Sequence, residues 1–183
     1  MKTLWLVSGA VAGSVVLLGV LTWIVGTRLP EAHTASVSAE LTAAPDVVAS
    51  RIRDIARHAE WRPDVTRIEW TSDVQGEAWN EVRNEAPGVV RYVEHGSNGR
   101  IPFAFREDVP GRVFTSTIDT DTLPFGGVWT ITVEPLDDAR TRVTIREDGV
   151  VRSPLFRTIS RYVMGHTHSI EAYLRALTAS FSA

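Results

Sequence analysis

Between Val65 and Val151 the chain alternates apolar and polar residues in short runs, and one long amphipathic stretch follows after Ser153-Pro154. Ile68 and Trp70, Val90 and Tyr92, Ile101, Phe103 and Phe105, Phe114, Ser116 and Ile118, Trp129, Ile131 and Val133, and Val143 and Ile145 each keep to one side of a period-two pattern. One apolar and one polar face per strand marks an antiparallel sheet solvated on one side. Turn chemistry separates the runs at Gln75-Gly76, Pro87-Gly88, Asn98-Gly99, Pro110-Gly111 and Pro135 to Ala139. Six or seven strands fit this stretch, because Ala78 to Asn84 reads as strand or loop. The final stretch, about Pro154 to Ser180, places Phe156, Ile159, Val163, His166, Ile170, Leu174 and Leu177 at spacings of three and four, with Tyr162 and Tyr173 flanking. It predicts a single long helix with one stripe toward the sheet. A sheet closed by one such helix suggests a container for a hydrophobic ligand.

Upstream, Ser36 to Thr42 alternates as a half-buried strand, and Ala44-Pro45-Asp46 opens a helix with the stripe Val47, Val48, Ile52 and Ile55. A second short helix or turn follows over His58 to Asp64. The order strand, helices, many strands, long helix is an α+β layer arrangement, with helices on one side of a curved antiparallel sheet.

The first 28 residues stand apart. Thr3 to Thr27 carries no charge, with Lys2 before it, Arg28 after it, and Trp5 and Trp23 near its ends. A membrane-crossing helix needs roughly 20 apolar residues, with aromatic rings favoured at the interfaces. A cleaved signal peptide has an apolar core of only about 7–15 residues before a small-x-small site, which Gly26-Thr27-Arg28-Leu29-Pro30 does not supply. The expectation is therefore a transmembrane anchor at 1–28, a tether at 29–35 and one domain at 36–183. Lys2 and the N-terminal amine favour a single-pass protein of the cell membrane with its domain on the extracytoplasmic side. Arg28, Arg51, Arg53 and Arg57 pull the other way.

All 22 acidic residues and 17 arginines lie beyond Leu29, leaving that part at −5. Such a domain lacks the basic footprint of a nucleic-acid binder. With no cysteine there is neither a disulfide framework nor a thiol nucleophile.

The chain resembles the SRPBCC superfamily, and within it the bacterial polyketide cyclase/dehydrase and lipid transport group. The resemblance rests on Ala43-Ala44-Pro45-Asp46-Val47-Val48, on Trp61-Arg62-Pro63-Asp64-Val65 and on Leu123-Pro124-Phe125-Gly126-Gly127-Val128-Trp129. It rests further on Ile145 to Val151, on Ser153-Pro154-Leu155-Phe156-Arg157 and on Gly165-His166-Thr167. It covers about Thr34 to Phe181. It implies a START-like, helix-grip fold with an apolar cavity between sheet and long helix. Members include lipid carriers, cyclases and partner-binding proteins, so the fold alone does not settle activity.

Trp61, Trp70, Phe103, Phe105, Phe125, Trp129 and Tyr162 read equally well as cavity lining or as plain core. His166, on the expected inward stripe, could donate a hydrogen bond to a ligand or act as a general acid/base. The alternative is a core histidine satisfied by a backbone carbonyl or by Glu147. His168 points away from it, and His58 and His95 lack companions at metal-ligand spacing, so no metal and no cofactor is expected. Glu81, Glu94 and Glu107 could run proton chemistry, but such glutamates more often solvate a sheet or pair with Arg91, Arg106 and Arg112. Arg146 and Glu147 occupy opposite faces of one strand, and whichever points inward is a candidate polar anchor. Gly126-Gly127 precedes a strand rather than a helix, so it suits a bulge or close backbone approach and not a phosphate loop.

The leading expectation is a membrane-anchored, non-catalytic binder or carrier of a hydrophobic small molecule or lipid. A cyclase- or dehydratase-like enzyme using the same cavity is the alternative, and a protein-partner module is a third class.

Overall fold

The computed structural model describes residues 2–71 and 88–182, with the side chains of residues 2–12, 15 and 164 outside that description. The Ala78 to Asn84 stretch, including Glu81, lies outside the described residues. Helix α1 (Lys2–Arg28) leads into β1 (Ala32–Leu41), then α2 (Pro45–Arg53), a 3-10 turn and the one-turn helix α3 (His58–Trp61). Strands β2 (Val65–Trp70), β3 (Val89–Gly96), β4 (Gly99–Val109), β5 (Val113–Ile118), β6 (Phe125–Pro135) and β7 (Thr141–Val151) follow, then α4 (Pro154–Ile159) and α5 (His168–Ala179).

The seven strands form one sheet in the order β1-β7-β6-β5-β4-β3-β2, antiparallel throughout. The period-two reading holds strand by strand. Leu41, Val90, Tyr92, Phe105, Phe114, Ile131, Val133, Val143 and Ile145 are buried together beneath Val48, Ile52, Ile170, Tyr173, Leu174 and Leu177 of the helices. Burial of this apolar face, at roughly 25 cal/mol per Å², drives the fold.

Strand β1 begins at Ala32 rather than Ser36. The segment read as a tether over 29–35 is thus mostly strand, because His33 and Ala35 extend the inward alternation of Val37, Ala39 and Leu41. On α2, Val48, Ala49 and Ile52 are buried, while Val47 is exposed.

The largest departure from expectation is at the C-terminus. The helix is not continuous. Helix α4 passes into a π-helical turn (Ser160–Met164), which stops at Gly165 with φ 77° and ψ 156°. A side chain strongly disfavours that backbone region, so glycine sets the break. Only Ile170, Leu174 and Leu177 of the expected stripe are buried. Phe156 and Val163 are exposed.

In α4 the buried side chain is instead Arg157. Its guanidinium donates to the carbonyls of Gly26 and Leu29 at 3.1 Å each, to the Arg152 carbonyl at 3.0 Å and to Glu31 at 2.8 Å. The carbonyls of a final helical turn lack intrahelical donors and carry negative partial charge, and a cation there satisfies both. Thr158 adds a bond to the Thr22 carbonyl at 2.9 Å. Helix α4 therefore faces α1 and not the sheet. Among the described residues no helix is long and apolar enough to cross a membrane, so the structure does not show the anchor read from residues 3–27. The described large apolar side chains of α1 between Val16 and Val25 are exposed.

Candidate functional site

The register assigns the inner face. Outside the irregularities at Val65/Arg67 and Glu107/Val109, odd-numbered residues of β1, β4, β6 and β7 and even-numbered residues of β2, β3 and β5 point toward the helices. On β7 this turns Glu147 inward and Arg146 outward, where Arg146 pairs with Asp148 at 2.9 Å.

Among the described residues, three glutamates on the inner face meet different surroundings. Glu107 is bound by the Arg53 guanidinium and accepts the Gly111 N–H at 2.6 Å. Glu94 is held bidentately by Arg62 at 2.5 and 3.0 Å. Arg62 also donates to Asp64 at 2.7 Å and lies 5.3 Å over the Tyr173 ring. His58 Nδ1 stands 3.8 Å from Glu94, while its Nε2 donates to the Ile52 carbonyl at 3.1 Å. Burial works to raise the Glu94 pKa, yet the His58 ring and the Arg62 charge together hold it below the ordinary 4.5. Glu94 and Glu107 therefore pair with Arg62 and Arg53, not with Arg91, Arg106 and Arg112. Arg91 and Arg106 bind Asp119 and Asp108 instead. Both inward pairs tie the short helices to the sheet.

Among the described residues no arginine pairs with Glu147. Its neighbours are His33 Nε2 at 3.5 Å and Trp129, its partner across β6–β7. The His33 ring stacks on His166 with centroids 4.1 Å apart and planes 24° off parallel. His166 Nδ1 lies 3.3 Å from the Ser160 hydroxyl. Gly149, opposite His33 in the β1–β7 register, makes room for this ring: a Cβ there would sit 2.4 Å from His33 Cε1. Gly127 faces Gly149 across β6–β7, which is the close backbone approach expected of the Gly126-Gly127 pair.

Burial raises the Glu147 pKa above 4.5, against the opposing influence of the neighbouring Trp129 and His166. Burial lowers His33 below 6.5, and it lowers His166 together with the charges of His33 and Arg161. All three groups are thus held toward their neutral forms. In a pH titration followed by NMR, both imidazoles are expected to titrate below 6.5 and the Glu147 carboxyl above 4.5. The linkage signs oppose each other. The depressed histidines remove stability as pH falls from 6.5 through their folded values, while Glu147 removes it as pH rises from 4.5 through its own. A His33 or His166 midpoint above 6.5 would contradict this electrostatic picture.

The sequence-selected residues divide accordingly. Trp61, Trp70, Phe103 and Trp129 are half-buried against the core. Trp61 and Trp129 meet Tyr173 edge-on at 5.3 and 5.7 Å, and Phe103 stacks on Tyr92 at 5.7 Å. Phe105 is fully packed, stacked on Phe114 at 5.8 Å. Phe125 is half-buried at the start of β6, and Tyr162 projects outward from the π turn. His166 sits at the helix break rather than on a continuous stripe. His168 is exposed, and His95 binds Glu69 on the outer face at 2.7 Å. Among the described residues no group of three metal-ligating side chains occurs. His33, Arg62, Tyr92 and Tyr173 were not among the site candidates read from the sequence. A separate open groove of about 640 Å³, lined by Ala44 to Asp46, Gly111, Arg112 and Pro135 to Asp138, lies away from this group.

A curved antiparallel sheet, with helices across its inner face and aromatic and polar side chains lining the interior, defines the START-like helix-grip class. The chain belongs to the polyketide cyclase / dehydrase and lipid transport family, which it matches over residues 32–180. No curated protein matches it. Among solved structures, a START superfamily protein from Mycobacterium smegmatis is similar at 15% identity, covering 82% of this chain and 97% of that one, with a TM-score of 0.58. The Zhui aromatase/cyclase from Streptomyces sp. R1128 is similar at 16% identity, covering 82% and 94%, with a TM-score of 0.59. The di-domain ARO/CYC StfQ from the steffimycin biosynthetic pathway is similar at 14% identity, covering 83% of this chain and 52% of that one, with a TM-score of 0.59. At these identities the likeness is one of fold.

Proposed function

We propose that the chain binds or carries a hydrophobic small molecule or lipid between the inner face of its sheet and the C-terminal helices. The observation that carries this reading is the row of half-buried aromatics, Trp61, Trp70, Phe103 and Trp129, beside an interrupted helix. A finished core would seal such rings. Here they stay partly open, as the wall of a ligand site does. Family membership and the fold shared with an aromatase/cyclase support the same reading.

Residence at the cell membrane belongs to this proposal. The uncharged run Thr3–Thr27 and the exposed apolar face of α1 support it, and Lys2 favours an extracytoplasmic domain. A bilayer-held domain meets lipid-soluble ligands directly. A second reading, a cyclase- or dehydratase-like enzyme, is favoured by one observation: the Glu147, His33 and His166 group could move protons.

The test is saturable binding of the apolar fluorophore N-phenyl-1-naphthylamine to the full chain. Phe103→Asp is expected to weaken one-to-one binding at least about tenfold, equivalent to about 1.4 kcal/mol, with cooperative unfolding retained. Unchanged affinity in a folded Phe103→Asp variant would remove the inner face as the site.

A further inference from the structure

We infer that Glu147, His33 and His166 form a subsite that holds the uncharged oxygen end, a hydroxyl or carbonyl, of an otherwise apolar ligand. The inference rests on the hydrophobic-ligand reading above and adds the chemistry of the ligand's polar end.

Three elements bring these side chains together: β1 supplies His33, β7 supplies Glu147, and the break between α4 and α5 supplies His166. Two polar atoms of the group, His33 Nδ1 and Glu147 Oε2, are buried without a hydrogen-bond partner among the described residues. Unpartnered buried polar atoms cost stability and are rare in finished interiors, so a pair of them in one cluster points to a missing partner. The other inward glutamates show what a structural role looks like here. Glu94 and Glu107 each carry a bidentate arginine. Among the described residues Glu147 carries none, and its strand neighbour Arg146 is committed to Asp148 on the outer face.

Burial favours the uncharged forms of these side chains, which bears on the ligand class. A carboxylate end would lack a counter-charge, because burial disfavours the imidazolium form of His33 and His166. An ammonium would need an ionised Glu147, which burial also disfavours. A hydroxyl or carbonyl oxygen needs neither. A hydroxyl can donate to the unpartnered Glu147 Oε2 or to an imidazole nitrogen, and a carbonyl can accept from an imidazole N–H, with no change of charge in the group. The place suits such a contact: Trp129 and Tyr173 carry the apolar wall away from Glu147. His166 covers the group from the short link between Gly165, where the π turn stops, and Thr167, the N-cap of α5.

The experiment is competition against bound N-phenyl-1-naphthylamine on the full chain at pH 7, with three probes sharing one tail: 1-tetradecanol, tetradecanoate and tetradecylammonium. The alcohol is expected to displace the fluorophore at least about tenfold more effectively than either ion. Glu147→Leu should erase that preference. His33→Phe and His166→Phe, which keep a ring in each position, should reduce it, with cooperative unfolding as the control for folding. Equal displacement by all three probes, displacement by none while the fluorophore is bound, or a preference that survives Glu147→Leu would overturn the subsite alone. Failure of the fluorophore itself to bind would overturn the carrier reading and the subsite with it.

Discussion

Replacing Arg62 by alanine is expected to destabilise the domain by about 3–5 kcal/mol, because it strands the Glu94 carboxylate in the interior without a counter-charge. Arg62 and Glu94 are both largely buried, with side chains 11% and 9% exposed. The guanidinium holds Glu94 bidentately, holds Asp64 and covers the Tyr173 ring, so its loss disconnects α3, β3 and α5 at once. The effect should depend on pH in a definite direction. In the native protein Glu94 is held below 4.5. Its contribution is present above pH 4.5 and is lost as pH falls through the folded value. Without Arg62, burial dominates and raises the carboxyl above its unfolded value. Stability of the variant then falls as pH rises from 4.5 through that new value. Urea unfolding should show the gap between native and variant chains narrowing from pH 7 to pH 5. Replacing both partners by apolar side chains, Arg62→Met with Glu94→Leu, should recover part of the loss. A cost below about 1 kcal/mol for Arg62→Ala, the range of exposed ion pairs, would contradict a buried clamp.

Phe114→Ala is expected to cost a similar 3–5 kcal/mol by a different route, the loss of buried aromatic surface plus the cavity left behind. Phe114 is 0% exposed in the middle of the sheet, paired with Ile131 on β6, stacked on Phe105 and covered by the Arg53 guanidinium at 5.9 Å. A domain of this size is stable by only about 5–15 kcal/mol, so the variant should show a large drop in urea midpoint with little change in slope. Val163→Ala is the contrasting control. Its side chain is 78% exposed, and its removal should change stability by less than about 0.5 kcal/mol. A mild effect at Phe114 would mean that the Phe105–Phe114 layer is loosely packed.

The strands were legible because period-two alternation is a local signal, and each run from Ile68 to Ile145 carries it independently. The C-terminal helix misled for the same reason. Spacings of three and four persist from Phe156 to Leu177, but Gly165 interrupts them, and a lone glycine inside a helical pattern weakens the case for continuity. The buried face then switches from the sheet to α1, because the last carbonyls of α1 need donors and Arg157 supplies them. No local pattern announces that need. His33 was hidden by the tether reading, although its place two residues before Ala35 continues the inward alternation of β1. The Arg62–Glu94 pair joins residues 32 apart, and charge type alone gave Glu94 several equally good partners. Glu147 could be placed on one face or the other of β7, but only the register shows which face is inner.

Native mass spectrometry of the gently purified full chain tests the central proposal most directly. One reproducible apolar mass per chain, lost in Phe103→Asp, is the expected result. A wild-type chain that remains free of any added mass, even after incubation with a total lipid extract, would contradict a carrier of hydrophobic ligands.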